Sequence, residues 1–283
     1  MTPARRRRTR RKTHSPLPLI LIIIAAIVAF SVYKCQTTFS APNTSPIPTD
    51  SLADSLYLNV IIPPNTDSRL ISYPGFNVSF NRTHHQPNYS AWILTRQHAD
   101  GPNSRSNKFA TDFSIDGCAT LDDYRNSGYD RGHMAPAGDM KWSSDAMQSS
   151  FLLTNISPQA KRLNQGAWKK LEEKTRQWAQ RDSVLIIVCG PILTDRITKT
   201  IGDSHVSVPA RYFKAILAPY TDPPRAIAFI MNNGYIVGGI QAAAVSVDQA
   251  EAITGFDFFS ALPDSIENKI ESQYSFSQWT LTR

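Results

Sequence analysis

Hydrophobic and polar positions follow three different patterns along this chain. Residues 17–30 form one uncharged, apolar run, extended by Ser31-Val32-Tyr33. As a helix it would reach roughly 25 Å at about 1.5 Å per residue, long for a signal-peptide core and slightly short for a membrane span. The pattern predicts a membrane anchor over 17–33. Residues 36 to 55 are rich in Thr, Ser, Pro and Asn, cannot bury much apolar surface, and read as a spacer. From residue 55 the pattern is that of a folded domain. Short apolar or alternating runs at 76–80, 90–95, 184–188, 205–208, 213–217 and 226–231 predict strands. Trp168, Leu171, Thr175 and Trp178 trace one stripe of a helix that begins at Asn164 and runs toward Gln180. A surface helix is expected over 140–147, and a short one near 250–254. The polar, basic stretch 100–112 reads as a loop. Four segments follow: a basic head at 1–16, the anchor at 17–33, a spacer at 34–54 and a folded domain at 55–283.

Composition changes this picture mainly through charge. The 283 residues carry 30 Lys and Arg against 23 Asp and Glu. Eight of the basic residues, and none of the acids, lie at or before Lys34, so the remainder holds 30 minus 8, or 22, against 23, a formal charge of −1. A polyanion bound by the folded part must therefore meet a local basic cleft instead of a globally positive surface. The arginines of the head instead predict topology: they stay cytoplasmic and leave the domain membrane-anchored on the extracytoplasmic side. Secretion or periplasmic release after cleavage, and the mitochondrial inner membrane, are the alternatives. Cys35, Cys118 and Cys189 lack metal-binding spacing. A Cys118–Cys189 disulfide is chemically reasonable, but Cys189 ends an apolar run and reads more simply as a buried core residue.

Candidate chemistry centres on Asp130-Arg131-Gly132-His133-Met134-Ala135-Pro136. Gly132 and Pro136 disfavour a helix, so a short strand is expected, with Arg131 and His133 on one face and Asp130 on the other. Such a strand offers a base beside a phosphate clamp. Downstream, Asn164 could be an N-cap or a metal ligand, and Glu172 a surface acid or a carboxylate that orders water. Eight residues separate them, just over two turns of an α-helix, so they need not touch one ion directly. Trp168 and Phe258-Phe259 read as core.

Together with Asn155-Ile156-Ser157-Pro158-Gln159 and Leu163-Asn164-Gln165-Gly166-Ala167-Trp168-Lys169-Lys170-Leu171-Glu172, this text resembles the DNA/RNA non-specific endonucleases with a ββα-metal motif, the endonuclease G-like family. Further family-like text lies at 189–191, 206–215 and 253–263, so the resemblance covers about residues 55 to 272. It implies an α+β domain with a central, largely antiparallel sheet, flanking helices and a ββα-metal site. It implies His133 as general base, Asn164 as direct Mg²⁺ ligand (Mn²⁺ substituting), and Glu172 as organiser of the metal's water. Arg131 becomes a phosphate-contacting, transition-state-stabilising residue, and Asn155 an amide supporting the active site. Arg105 is a less securely aligned phosphate contact, with Lys108 its competitor. The implied activity is sequence-nonspecific hydrolysis of DNA and RNA to 5′-phosphate and 3′-hydroxyl ends, falling off in acid as the histidine protonates. A homodimer is a further implication.

Overall fold

A computed structural model of the protein describes residues 55–280. The basic head, the predicted anchor and the spacer lie outside the described residues. The central element is a seven-stranded, wholly antiparallel sheet in the order β1 (Arg69–Tyr73), β2 (Phe76–Asn81), β3 (Gln86–Thr95), β6 (Val184–Pro191), β9 (Arg211–Ala218), β10 (Arg225–Asn232) and β11 (Ala244–Val245). Two small ribbons stand apart: β4 (Asp130–His133) with β5 (Ile156–Gln159), and β7 (Thr200–Ile201) with β8 (Val206–Ser207). The α+β expectation and its antiparallel sheet hold.

Helices cover both faces of the sheet, which is why its middle strands read as nearly continuous apolar runs. In β9, Tyr212, Ile216 and Ala218 join one buried cluster, while Phe213, Ala215 and Leu217 join another. Strand alternation sends successive side chains to opposite layers. The first layer takes Trp168 and, from the helix Lys169–Asp182, Leu171, Trp178 and Ala179. The second takes Val247 and Ala250 of the helix Val247–Thr254, Ile270 of Asp264–Glu271, and Phe256, Phe258 and Phe259. The stripe predicted at 168, 171, 175 and 178 is buried throughout.

Several boundaries differ from expectation. The surface helix is Ser144–Ser150, set off by its Ser143 cap, whose side chain accepts from the Ala146 N–H. β1 is not among the expected strands, because Arg69–Tyr73 is a largely exposed edge with little apolar patterning. No disulfide joins Cys118 to Cys189, both of which are free. Cys189 points into the first layer and its Sγ donates to the Met134 carbonyl at 2.9 Å.

Among the described residues no helix is long and apolar enough to cross a membrane. The longest, Lys169–Asp182, has 14 residues and a charged outer face. On this finding the expected membrane attachment is not retained; the segment 17–33 assigned to it lies outside the described residues.

The last helix, Phe276–Thr280, is locked by charge. Arg181 and Arg225 both pair with the buried Asp182. Arg181 also donates to the Trp279 carbonyl at 3.0 Å, and Arg225 lies 4.8 Å over the Trp279 ring. Asp182→Ala would remove the buried carboxylate that both arginines share, so a loss of about 3 kcal/mol in urea unfolding is expected. An unchanged midpoint would refute the clamp.

Candidate active site

The ribbon β4–β5 builds the floor of the site. Its register sets Arg131 opposite Pro158, Gly132 opposite Ser157 and His133 opposite Ile156. Only glycine fits at 132, since a Cβ there would lie 2.2 Å from Gln159 Oε1. The expected short strand is thus present, one residue of it being dictated by close approach.

His133 ends that strand and is 7% exposed. Its ring stands edge-on to Phe151 at 4.9 Å and 90°, and tilts against Phe109 at 5.2 Å. Its Nε2 is enclosed and carries no hydrogen bond among the described residues. Burial, reinforced by the positive charges of Arg105 and Arg131, drives its pKa down to about 3. The imidazole is therefore neutral well into the acid range. The acid sensitivity expected from an ordinary histidine does not come from this ring.

Two arginines face the same space. Arg131 packs its guanidinium 4.3 Å over Phe109, and Arg105 lies 5.2 Å over Phe151 while its Nε donates to Asn107 Oδ1 at 2.7 Å. Both line a cleft of about 560 Å³ with Phe109, Tyr124, Arg125, Tyr129, Asp130 and Asn164. Lys108, the competitor for Arg105, is exposed and does not line it.

The helical part of the motif begins with a π turn, Leu163–Trp168, before the α-helix Lys169–Asp182. Asn164 is therefore not an N-cap. Its own N–H bonds back to the Ala160 carbonyl at 3.0 Å, and its Nδ2 donates to Asp130 Oδ2 at 3.0 Å. A carboxylate can only accept, so Asp130 fixes the amide with Oδ1 turned away and unbonded to protein among the described residues. Within the π turn Gly166 leaves helical geometry, with φ −105° and ψ −112°, so a kink separates Asn164 from the α-helix that carries Glu172. Glu172 is half-buried, and burial pushes its pKa up to about 7 against the pull of Lys214 and Arg176. Arg105 acts electrostatically on both His133 and Glu172, which ties the two ends of the site together.

Asn155 sits beneath the floor, fully buried. Its Oδ1 accepts from Ser90 Oγ at 2.8 Å and Ala135 N at 2.9 Å, and its Nδ2 donates to the carbonyls of Ala135 and Ser150 at 2.8 and 2.9 Å. Every valence of the amide is satisfied by protein. Asn155 thus braces the chain just after His133.

Sequence reasoning passed over Phe109 and Phe151 as site residues, although an aromatic interleaved with Arg105 and Lys108 was a signal for the first. It also passed over Lys214. This lysine is fully buried in β9, 4.7 Å from the Trp168 ring, with no hydrogen bond on Nζ among the described residues. A lone lysine in an apolar strand leaves no pattern to read.

A sequence profile of the DNA/RNA non-specific endonuclease family matches residues 55–265. The chain belongs to that family. Among relatives of this endonuclease family, the chain is 36% identical over 207 residues to the mitochondrial nuclease EXOG of Danio rerio, a match taking in 67% of this chain and 60% of that protein. It is 33% identical over 141 residues to the mitochondrial endonuclease G of Bos taurus, covering 44% of this chain and 47% of that one. A nuclease of Nostoc is 30% identical, with 73% and 79% covered. The crystal structure of an EndoG/EndoGI complex contains a chain that superposes with a TM-score of 0.65 at 27% identity, over 70% of this chain and 88% of that one. The chain thus spans less than two thirds of the length of the EXOG and endonuclease G relatives above. Several members of the endonuclease family matched here are named as mitochondrial, which, with the absence of a spanning helix among the described residues, overturns the expected membrane-anchored, extracytoplasmic location.

Proposed function

We propose that residues 55–283 form a metal-dependent endonuclease domain that hydrolyses DNA and RNA without sequence preference, leaving 5′-phosphate and 3′-hydroxyl ends. The observation that carries this is a neutral His133 whose Nε2 makes no hydrogen bond among the described residues, packed on Phe109 and Phe151, the two rings that carry Arg131 and Arg105 beside the cleft those arginines line. Phosphate is common to both nucleic acids, and a cleft built around it reads few base edges.

The donors present fit a hard cation. Asn164 Oδ1 is turned away from its only side-chain partner, and no hydrogen bond is made by the Glu172 carboxylate among the described residues. Magnesium, which prefers oxygen and retains several waters, suits one amide oxygen plus a carboxylate that holds water, and manganese suits the same set. Bound there, the cation would neutralise charge building on the phosphate and the leaving oxygen. The chain's own groups do the rest. His133 takes the proton of the attacking water, and Arg131 and Arg105 hold the phosphate oxygens as negative charge develops. Asn155 and Asp130 act through others, bracing the His133 strand and aiming the Asn164 amide.

Incubation of the full-length protein with supercoiled plasmid and with structured RNA tests this. With millimolar Mg²⁺ both are expected to be cut at many sites, and chelation is expected to stop cleavage of both. Binding without cleavage under Mg²⁺ and Mn²⁺ would instead indicate a noncatalytic nucleic-acid-binding module.

A further inference from the structure

A second group of carboxylates lies on the other layer of the molecule, against the sheet face that the catalytic helix does not cover. Asp248 and Glu251 belong to the helix Val247–Thr254, one turn apart, and Glu271 is the last residue of Asp264–Glu271. Oxygens from all three lie within 4.8 Å of one another. Acidic clusters on surfaces are ordinary, and this one would carry no weight but for Glu271. That side chain is 3% exposed, and its Oε1 is enclosed with no hydrogen-bond partner among the described residues.

An enclosed carboxylate oxygen with nothing to accept from is costly. Its position at a helix C-terminus makes matters worse, because the backbone carbonyls there already present negative charge. The charges acting on Glu271 are all negative, from Glu251, Glu267, Asp248 and Asp257. Among the described residues no lysine or arginine forms an ion pair with any of the three cluster members. Glu251 uses Oε1 to accept from the Phe258 N–H at 2.7 Å, which fixes its carboxylate and leaves the second oxygen for the cluster. The arrangement is an oxygen-only nest with one exposed entrance, Asp248, and one buried wall, Glu271.

We propose that Asp248, Glu251 and Glu271 form a calcium site, separate from the catalytic cleft, that staples the two helices covering the far face of the sheet. Calcium takes six to eight oxygens at about 2.3–2.6 Å in flexible geometry, which suits carboxylates spread over this distance, with water completing the shell through the Asp248 side. Magnesium demands a tighter octahedron, and soft transition metals lack nitrogen or sulfur ligands here. The role is structural: the ion supplies the positive charge that the fold omits around Glu271.

Thermal unfolding of full-length Asn164→Ala, which removes the proposed ligand in the cleft, isolates the second site. Millimolar Ca²⁺ against chelator is expected to raise its Tm by at least ~3 °C. Adding Asp248→Asn should remove most of that gain. Glu271→Gln should remove it entirely while leaving the chelated protein no less stable. Nuclease activity of Asp248→Asn alone should equal wild type. No calcium response in Asn164→Ala, or a response that survives both Asp248→Asn and Glu271→Gln, overturns the site. Equilibrium dialysis of wild type and Asp248→Asn covers the case in which Asn164→Ala does not fold. One fewer calcium ion per chain in the variant is expected, and an equal count overturns the proposal.

Discussion

His133→Ala is expected to lower kcat on both DNA and RNA by ~10³-fold or more while leaving a cooperatively folding protein. A positioned general base contributes about 10²–10⁴ to a rate. The replacement leaves a space between Phe109 and Phe151 but severs no hydrogen bond at the enclosed Nε2, which makes none among the described residues. Activity within tenfold of wild type would sink the assignment of His133 as base. The same residue makes a prediction about stability. Its pKa is about 3 in the fold against 6.5 when unfolded. As pH falls through that window the unfolded chain takes up a proton that the folded chain refuses, so this group's contribution to stability is intact above about 6.5 and is lost progressively toward 3. A loss of a few kcal/mol by pH 4 is the right order. His133→Asn should therefore be the less acid-sensitive protein in urea unfolding at pH 4, even though it is inactive. Parallel pH dependences in the two proteins would show that the ring is not held neutral.

Asn164→Ala is expected to cost ~10²–10³-fold in rate at ordinary Mg²⁺ concentration, with part of the loss recovered as Mg²⁺ or Mn²⁺ is raised. Removing a direct oxygen ligand weakens the ion's hold and leaves the phosphate contacts of Arg105 and Arg131 in place, so substrate KM should move little. Asp130→Asn is the informative companion. Asp130 accepts from Asn164 Nδ2 and from Gln165 Nε2, each at 3.0 Å, and so sets which end of the Asn164 amide faces the cleft. An outer partner of a ligand typically contributes 10–100-fold, and the defect should again ease at high metal. A defect in Asn164→Ala that no metal concentration relieves would mean that this residue shapes the helix without holding an ion.

Much of the site was legible because its parts are local. Arg131 and His133 lie two apart on one strand, so alternation puts them on one side, and both pack on Phe109, but Asp130, expected on the other face, lines the cleft beside Arg131. The buried stripe from Trp168 to Trp178 was legible for the same reason, being a property of one helix. Asn155 shows where local reading stops. As an Asn in a polar turn it could face substrate or backbone equally, and its role became readable only through Ser90, Ala135 and Ser150, which different elements bring to it. The choice of Arg105 over Lys108 likewise depended on how an irregular loop lies against Phe151.

The chain's own text was enough for the positions of most central strands, the helix that follows the motif, the family resemblance, and the candidate base and clamp, because each rests on periodicity or on residues close in sequence. Tertiary structure alone decided the rest. The kink at Gly166 between Asn164 and Glu172, the neutral state of His133, the buried Lys214 and the meeting of Glu271 with Asp248 and Glu251 all depend on what distant segments pack against each residue. Burial and field are sums over neighbours that the fold assembles, and a one-dimensional pattern carries no record of them.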